Sequence, residues 1–194
     1  MKIQSAEFVG ASARAEEFFG DGTPEVAFAG RSNVGKSSLL NRLVGQRVAR
    51  TSSTPGRTQT VNWFRVDGRF WLVDLPGFGY AKASRTAREA WAATIASYFR
   101  EPLAERLVVQ LVDSRVGATE LDVEAAAYFA GLGVERVVVA TKFDRLKRSQ
   151  RVRALEDIRR ALGLATETDL IAVSATSGEG VRELWKRISD FLAR

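Results

Sequence analysis

The sequence predicts a three-layer α/β/α fold around a mostly parallel sheet of about six strands, one of them an antiparallel hairpin strand. Three observations predict it. Apolar, β-branched runs alternate with amphipathic helical stretches, with no long linker, repeat or low-complexity block between them. A glycine-rich segment, GRSNVGKSS, joins the first such run to the first helix. One pair of runs is separated only by Asp67-Gly68, a two-residue hairpin signal.

In chain order, residues 1–23 predict an N-terminal extension packed on the domain as an extended edge segment, and residues 24–194 the domain itself. EVAFA (25–29) reads as a buried strand, and 37 to about 45 as a helix with Leu39, Leu40 and Leu43 turned inward. Residues 46–60, rich in Thr, Ser, Arg and Gly, predict a mobile loop. VNWFRV and RFWLVD then form the hairpin. A helix from about 86 to 100 places Trp91, Ile95, Tyr98 and Phe99 on one face. LVVQLVD (107–113) and VERVVVA (134–140) have the continuous apolar character of central parallel strands. The helix between them is expected to pack through Leu121, Val123, Ala127, Tyr128 and Leu132. A helix over about 150–162, a strand DLIAVSA (169–175) and a final helix striped with Val181, Leu184, Trp185, Ile188, Phe191 and Leu192 complete the chain.

Composition narrows the chemistry. The 194 residues suit one domain, and 45% hydrophobic residues supply a core. No apolar run approaches the roughly 20 residues of a membrane span, and the acidic, apolar-poor N-terminus argues against export. A soluble, intracellular, monomeric protein is expected. The absence of cysteine and histidine removes disulfides, thiolate chemistry and the usual zinc ligands. The net charge of +6, carried mostly by arginine, favours a polyanionic partner, with mere solubility charge as the alternative. Nothing indicates DNA specificity.

Gly30-Arg31-Ser32-Asn33-Val34-Gly35-Lys36-Ser37 fits G-x-x-x-x-G-K-[ST] at every fixed position, between a predicted strand and a predicted helix. That context defines a P-loop. Its glycines let backbone N–H groups face phosphate oxygens, and the helix N-terminus adds its dipole. Lys36 is placed for the β- and γ-phosphates, Ser37 for Mg²⁺, and Ser38 continues the helix start. Asp74, ending FWLVD, is followed by Leu75-Pro76-Gly77. A carboxylate there can hold Mg²⁺ and the Gly77 N–H can sense a γ-phosphate. Between these motifs, TSSTPGRTQT offers hydroxyls for metal and phosphate. Thr58 is the first choice, next to Gly56, with Thr60 and Thr54 behind it.

The base-reading residues belong on later loops. Thr141-Lys142-Phe143-Asp144 follows a strand, and an Asp there can accept from guanine N1–H and its exocyclic amine. Adenine would leave that carboxylate unpaired. The Lys142 stem can cover the base. Ser174-Ala175-Thr176 closes the last strand, where the Ala175 N–H can donate to guanine O6. An ATP-dependent kinase, the competing class, is disfavoured by Asp144.

These segments together resemble the EngB family (also called YihA or YsxC) of Era-related GTPases. The resemblance rests on GRSNVGKSSLLN, TSSTPGRTQTVNWF, DLPGFGYA, TKFD and REAW, spread over about residues 24–192. It implies a Mg²⁺-dependent GTPase of low intrinsic rate that acts in assembly of the large ribosomal subunit. It also implies rRNA or ribosomal protein as partner and a requirement in normal cell division and growth. Two departures stand out: Thr141 replaces the Asn of most GTPases, and SATSGEG differs from serine-rich, lysine-containing relatives.

Phe78 follows Gly77, where many GTPases carry a water-orienting Gln. Help with hydrolysis must then come from a docked partner or from an ion. By the resemblance, Asn33 holds K⁺ beside the phosphates; the alternative is that Asn33 only braces the loop. Arg145, Lys147, Arg148, Arg151 and Arg153 form a run of cations near a helix N-terminus, an unfavourable place for them without an anionic partner. Arg47, Arg50, Arg57, Lys82, Arg85 and Arg88 offer a second basic surface, and a solvated basic face is the plainer reading of the first. The protein could equally be a nucleotide-gated binding module whose hydrolysis only resets it.

Overall fold

A computed structural model of the chain describes residues 3–12, 21–49, 60–78, 85–100, 104–166 and 169–194. Its strands are β1 (Ala6–Ser12), β2 (Glu25–Gly30), β3 (Val61–Val66), β4 (Phe70–Asp74), β5 (Arg106–Asp113), β6 (Glu135–Thr141) and β7 (Leu170–Ala172). The helices are α1 (Lys36–Val44), α2 (Arg85–Arg100), α3 (Glu120–Gly131), α4 (Arg148–Ala161) and α5 (Val181–Leu192).

The strands form one sheet in the order β1-β3-β4-β2-β5-β6-β7. Pairing is parallel from β4 through β7 and antiparallel for β3–β4 and β1–β3. The sheet therefore has the mostly parallel character expected, with seven strands rather than six. The added strand is β1, at the edge beside β3, where Asp67 accepts from the Gln4 and Ser5 amides at 2.8 and 2.7 Å. The hairpin turn that carries Asp67 has φ of 49° there and 63° at Gly68, the paired positive values that match strand twist.

Side-chain alternation sorts the central strands between two layers. Val26 and Phe28 of β2, with Leu107, Val109 and Leu111 of β5, face Leu39, Leu40 and Leu43 of α1 and Leu184, Trp185, Ile188 and Phe191 of α5. On the other face, Ala27, Ala29 and Val108 meet Ile95 and Tyr98 of α2 and Phe129 of α3, while Val138 and Ala140 of β6 meet Ile158 of α4. Because β2 has β4 on one side and β5 on the other, strand order reverses beside it. The crevice beyond the carboxyl ends of the strands at such a reversal is where ligands bind.

α3 corrects one expectation. Leu121, Val123, Ala127, Tyr128 and Leu132 are exposed, and the inward face is Asp122, Ala125, Ala126 and Phe129. Two polar anchors set this rotation against the apolar pattern. The fully buried Gln110 of β5 donates to the Asp122 carbonyl at 2.8 Å. The Asp122 carboxylate closes a capping box on Thr119, accepting from its N–H at 2.9 Å and its hydroxyl at 2.8 Å. Satisfying a buried carboxylate outweighs the transfer gain of turning two or three larger apolar residues inward.

Candidate nucleotide site

The loop after β2 folds as a P-loop for reasons visible atom by atom. A Cβ at Gly30 would sit 2.9 Å from Val34 Cγ1 and 3.1 Å from Leu111, so only glycine fits this close approach. Asn33 (φ 64°) and Gly35 (φ 106°) take left-handed conformations that curl the backbone ahead of Lys36, the first residue of α1. Arg31 and Ser32 are half-buried, Val34 is buried in the core, and Ser37 and Ser38 lie on the first turn of α1. The amides of that turn have no capping side chain, and the turn itself carries no acidic residue, which leaves them for an anion.

Three strand ends close on this loop. From β4, the Asp74 carboxylate is buried and ion-paired with the Lys36 ammonium. Gly77 follows against Ser32, and a Cβ there would come within 3.2 Å of its hydroxyl. Phe78 forms a single β-bridge with Arg31: its N–H donates to the Gly30 carbonyl at 3.3 Å and its carbonyl accepts from the Ser32 N–H at 2.9 Å. The Phe78 ring is buried against Trp91 of α2, with centroids 5.8 Å apart, and the Trp91 indole donates to the Pro76 carbonyl at 2.8 Å.

From β6, Thr141 is buried and its hydroxyl lies 2.7 Å from the Val34 carbonyl and 3.2 Å from that of Val112. Lys142 has φ of 57°, and its ammonium donates to the Asn33 carbonyl at 2.6 Å and to Asp113 at 2.8 Å. Its stem thereby crosses above Gly35, 3.7 Å from where a Cβ there would be. Asp144 sits in the 3₁₀ turn Phe143–Arg145, exposed and without a hydrogen bond or ion pair to the described residues. An unpaired carboxylate beside the P-loop is ready for a ligand's donors. From β7, Ser174 is buried, Ala175 half-buried and Thr176 exposed. The Phe143 amide donates to Val173 at 3.3 Å, and Arg151 pairs with Glu179 at 3.0 Å, which ties these two loops together.

Gly56 and Thr58, like Thr54, lie outside the described residues; Thr60 stands just ahead of β3. The run of cations is less free than the sequence implies. Arg151 is engaged by Glu179 and stacks over Phe143 at 4.6 Å, and Arg153 approaches Asp157 at 3.8 Å. Arg145, Lys147 and Arg148 have no acidic partner among the described residues. Sequence reasoning also missed Asp113, which accepts from Arg115 as well as from Lys142. Its place, a carboxylate ending a central parallel strand, was the available signal.

A P-loop at a strand-order reversal, joined through Lys142 to the turn that carries the exposed Asp144, defines a nucleotide-binding protein of the P-loop class. Residues 25–142 match a family model described as 50S ribosome-binding GTPase. The chain is 46% identical over 193 residues to the probable GTP-binding protein EngB of Pelotomaculum thermopropionicum, covering 99% of this chain and 98% of the relative. It is 43% identical over 203 residues to the protein of that name from Anaeromyxobacter dehalogenans, covering 100% and 94%. A crystal structure of a probable GTP-binding protein engB superposes with a TM-score of 0.69 at 22% identity, over 87% of this chain and 98% of that one. Era in complex with MgGDPNP and nucleotides 1506–1542 of 16S ribosomal RNA gives 0.67 at 24% identity, over 85% and 55%. The two structures bear on the fold alone. By its relatives and family model, the chain belongs to the EngB family of GTP-binding proteins, and it is a GTPase.

Proposed function

We propose that this GTPase is a slow, nucleotide-dependent switch acting in assembly of the large ribosomal subunit in the cytoplasm, and through it in cell division and growth. Residues 24–194 form the G domain, residues 1–23 an extension packed on it, and the protein works as a monomer. Phe78 carries the slow-switch reading: it is buried against Trp91 and bridged to the P-loop backbone, so the position after Gly77 presents no group that could orient water.

The roles follow from the geometry. Bound nucleotide would take the Lys36 ammonium from Asp74 onto the β- and γ-phosphates, while P-loop amides from Gly30 to Ser38 cradle the phosphates. Ser37 and Asp74 are hard-oxygen donors with no thiolate or imidazole anywhere in the chain, a set that fits Mg²⁺ held with Thr58 and phosphate oxygens. When bound, that ion neutralises charge developing on the phosphates. Asp144 would accept from guanine N1–H and the exocyclic amine, Ala175 N–H would donate to O6, and Lys142 would cover the base. Asn33, exposed on the left-handed turn of the loop, would be the K⁺ ligand on this reading, and a loop brace on the other. Turnover several-fold faster in K⁺ than in Na⁺ is expected; equal rates would remove the ion role.

The partner is the large subunit or its precursor, through rRNA or ribosomal protein. Arg145, Lys147 and Arg148, without an acidic partner among the described residues, fit a phosphate backbone. The second basic surface includes Arg47; Arg50, Arg57 and Lys82 lie outside the described residues, and Arg85 and Arg88 belong to the first turn of α2. Co-sedimentation with large subunits at matched salt tests the switch. Retention with a GTP analogue and loss with GDP are expected, and equal binding in both states contradicts it.

A further inference from the structure

Lys142, a predicted base contact, is held in part by a residue outside the recognised motifs. Its backbone is left-handed (φ 57°), a conformation that L side chains rarely adopt. Strain of this kind persists only where surrounding contacts over-determine it. Two contacts do so here. The ammonium donates to the carbonyl of Asn33, itself left-handed, and to Asp113 Oδ2 at 2.8 Å. Asp113 is buried at the end of β5 and is also held by Arg115, whose Nε and backbone N–H donate to Oδ1 at 3.1 and 3.0 Å and whose Nη2 donates at 2.9 Å to Oδ2, the oxygen Lys142 uses. An Arg115–Asp113–Lys142–Asn33 chain thus runs from the end of β5 into the P-loop.

We infer that Asp113 is a positioning residue for nucleotide retention, acting through Lys142: its fixed charge holds the ammonium against the Asn33 carbonyl and so lays the lysine stem where the base must stack. The inference rests on the reading of Lys142 and Asp144 as the base-binding pair. Without the Asp113 charge, Lys142 keeps only a neutral carbonyl partner, and its flexible four-carbon stem is released into solvent. Burial pushes the Asp113 carboxyl up, but hydrogen bonds from Arg115 and Lys142 outweigh it and hold the group at about 2, so the anchor stays charged at neutral pH. Arg115 has a different part: it steadies the carboxylate without touching Lys142.

The test is the dissociation rate of a fluorescent GDP analogue from the full chain. Asp113→Asn should release the nucleotide about tenfold faster, the scale of one lost charge-assisted bond. In a Lys142→Met background the same substitution should change the rate less than about twofold, because the coupling has been removed. Arg115→Ala should also stay within about twofold of the parent, since Lys142 remains anchored. An unchanged rate in Asp113→Asn overturns the inference. So does an effect that persists in Lys142→Met, or an Arg115→Ala variant that reproduces it, because Asp113 would then only brace its own loop. Failure of the folded parent chain to bind the analogue at all would instead sink the base-site reading beneath it.

Discussion

The two ends of the nucleotide crevice are built differently. At the base end, side chains fasten one loop to the next: Thr141 to Val34, Lys142 to Asn33 and Asp113, and Arg151 to Glu179. At the far end, Phe78 joins the P-loop through two backbone bonds and packs on Trp91, while Gly77 lies against Ser32. The first arrangement is preorganised for recognition, since its polar groups are already oriented before a ligand arrives. Among the described residues the second places its charges in the Lys36–Asp74 and Arg31–Asp122 ion pairs and sets an apolar ring after Gly77, which suits sensing phosphate rather than activating water. On the proposed reading, base recognition and phosphate sensing would thus sit at opposite ends of the crevice, as a switch requires.

The contrast can be broken at the base end first. Asp144→Asn should weaken GDP binding at least about 100-fold, because the amide presents a donor to guanine donors, and it should shift preference toward xanthine nucleotides. Calorimetric titration with GDP and XDP measures both; retained guanine preference would remove Asp144 from the site. A step smaller is Thr141→Val, which leaves the buried Val34 carbonyl without its hydroxyl partner. A stability loss of about 1–3 kcal/mol in urea unfolding without nucleotide is expected.

Much of this architecture was legible beforehand, and the exceptions share a cause. The P-loop, the hairpin at Asp67-Gly68 and the stripe of α5 follow from local rules, so pattern and structure agree. The inward face of α3 did not, because a buried Gln110 and the Asp122 capping box set the rotation of a helix whose apolar residues lie all round it. Asp113 and the Arg151–Glu179 pair escaped for a related reason: each is defined by a partner distant in sequence. A run of arginines likewise does not reveal which of them a carboxylate from another loop will neutralise.

Acid sharpens the comparison with a smaller effect. The Asp113 carboxyl lies below its ordinary 3.8, at about 2, so what it adds to stability is fully present above pH 3.8 and fades as pH falls toward 2. The stability gap between the parent chain and Asp113→Asn should be flat from pH 5 upward and shrink below pH 4. A gap that grows on acidification would contradict the ion-paired state of Asp113.

The smallest expected effect bears most directly on the division between the two ends. Phe78→Gln installs the residue that orients water in many GTPases, but at a position whose side chain is buried against Trp91. Single-turnover GTP hydrolysis by the isolated protein should stay within about twofold of the parent rate, the limit within which no useful transition-state contact has been gained. A rise of tenfold or more would show that the far end lacked only a polar side chain, and that hydrolysis need not await a partner or an ion.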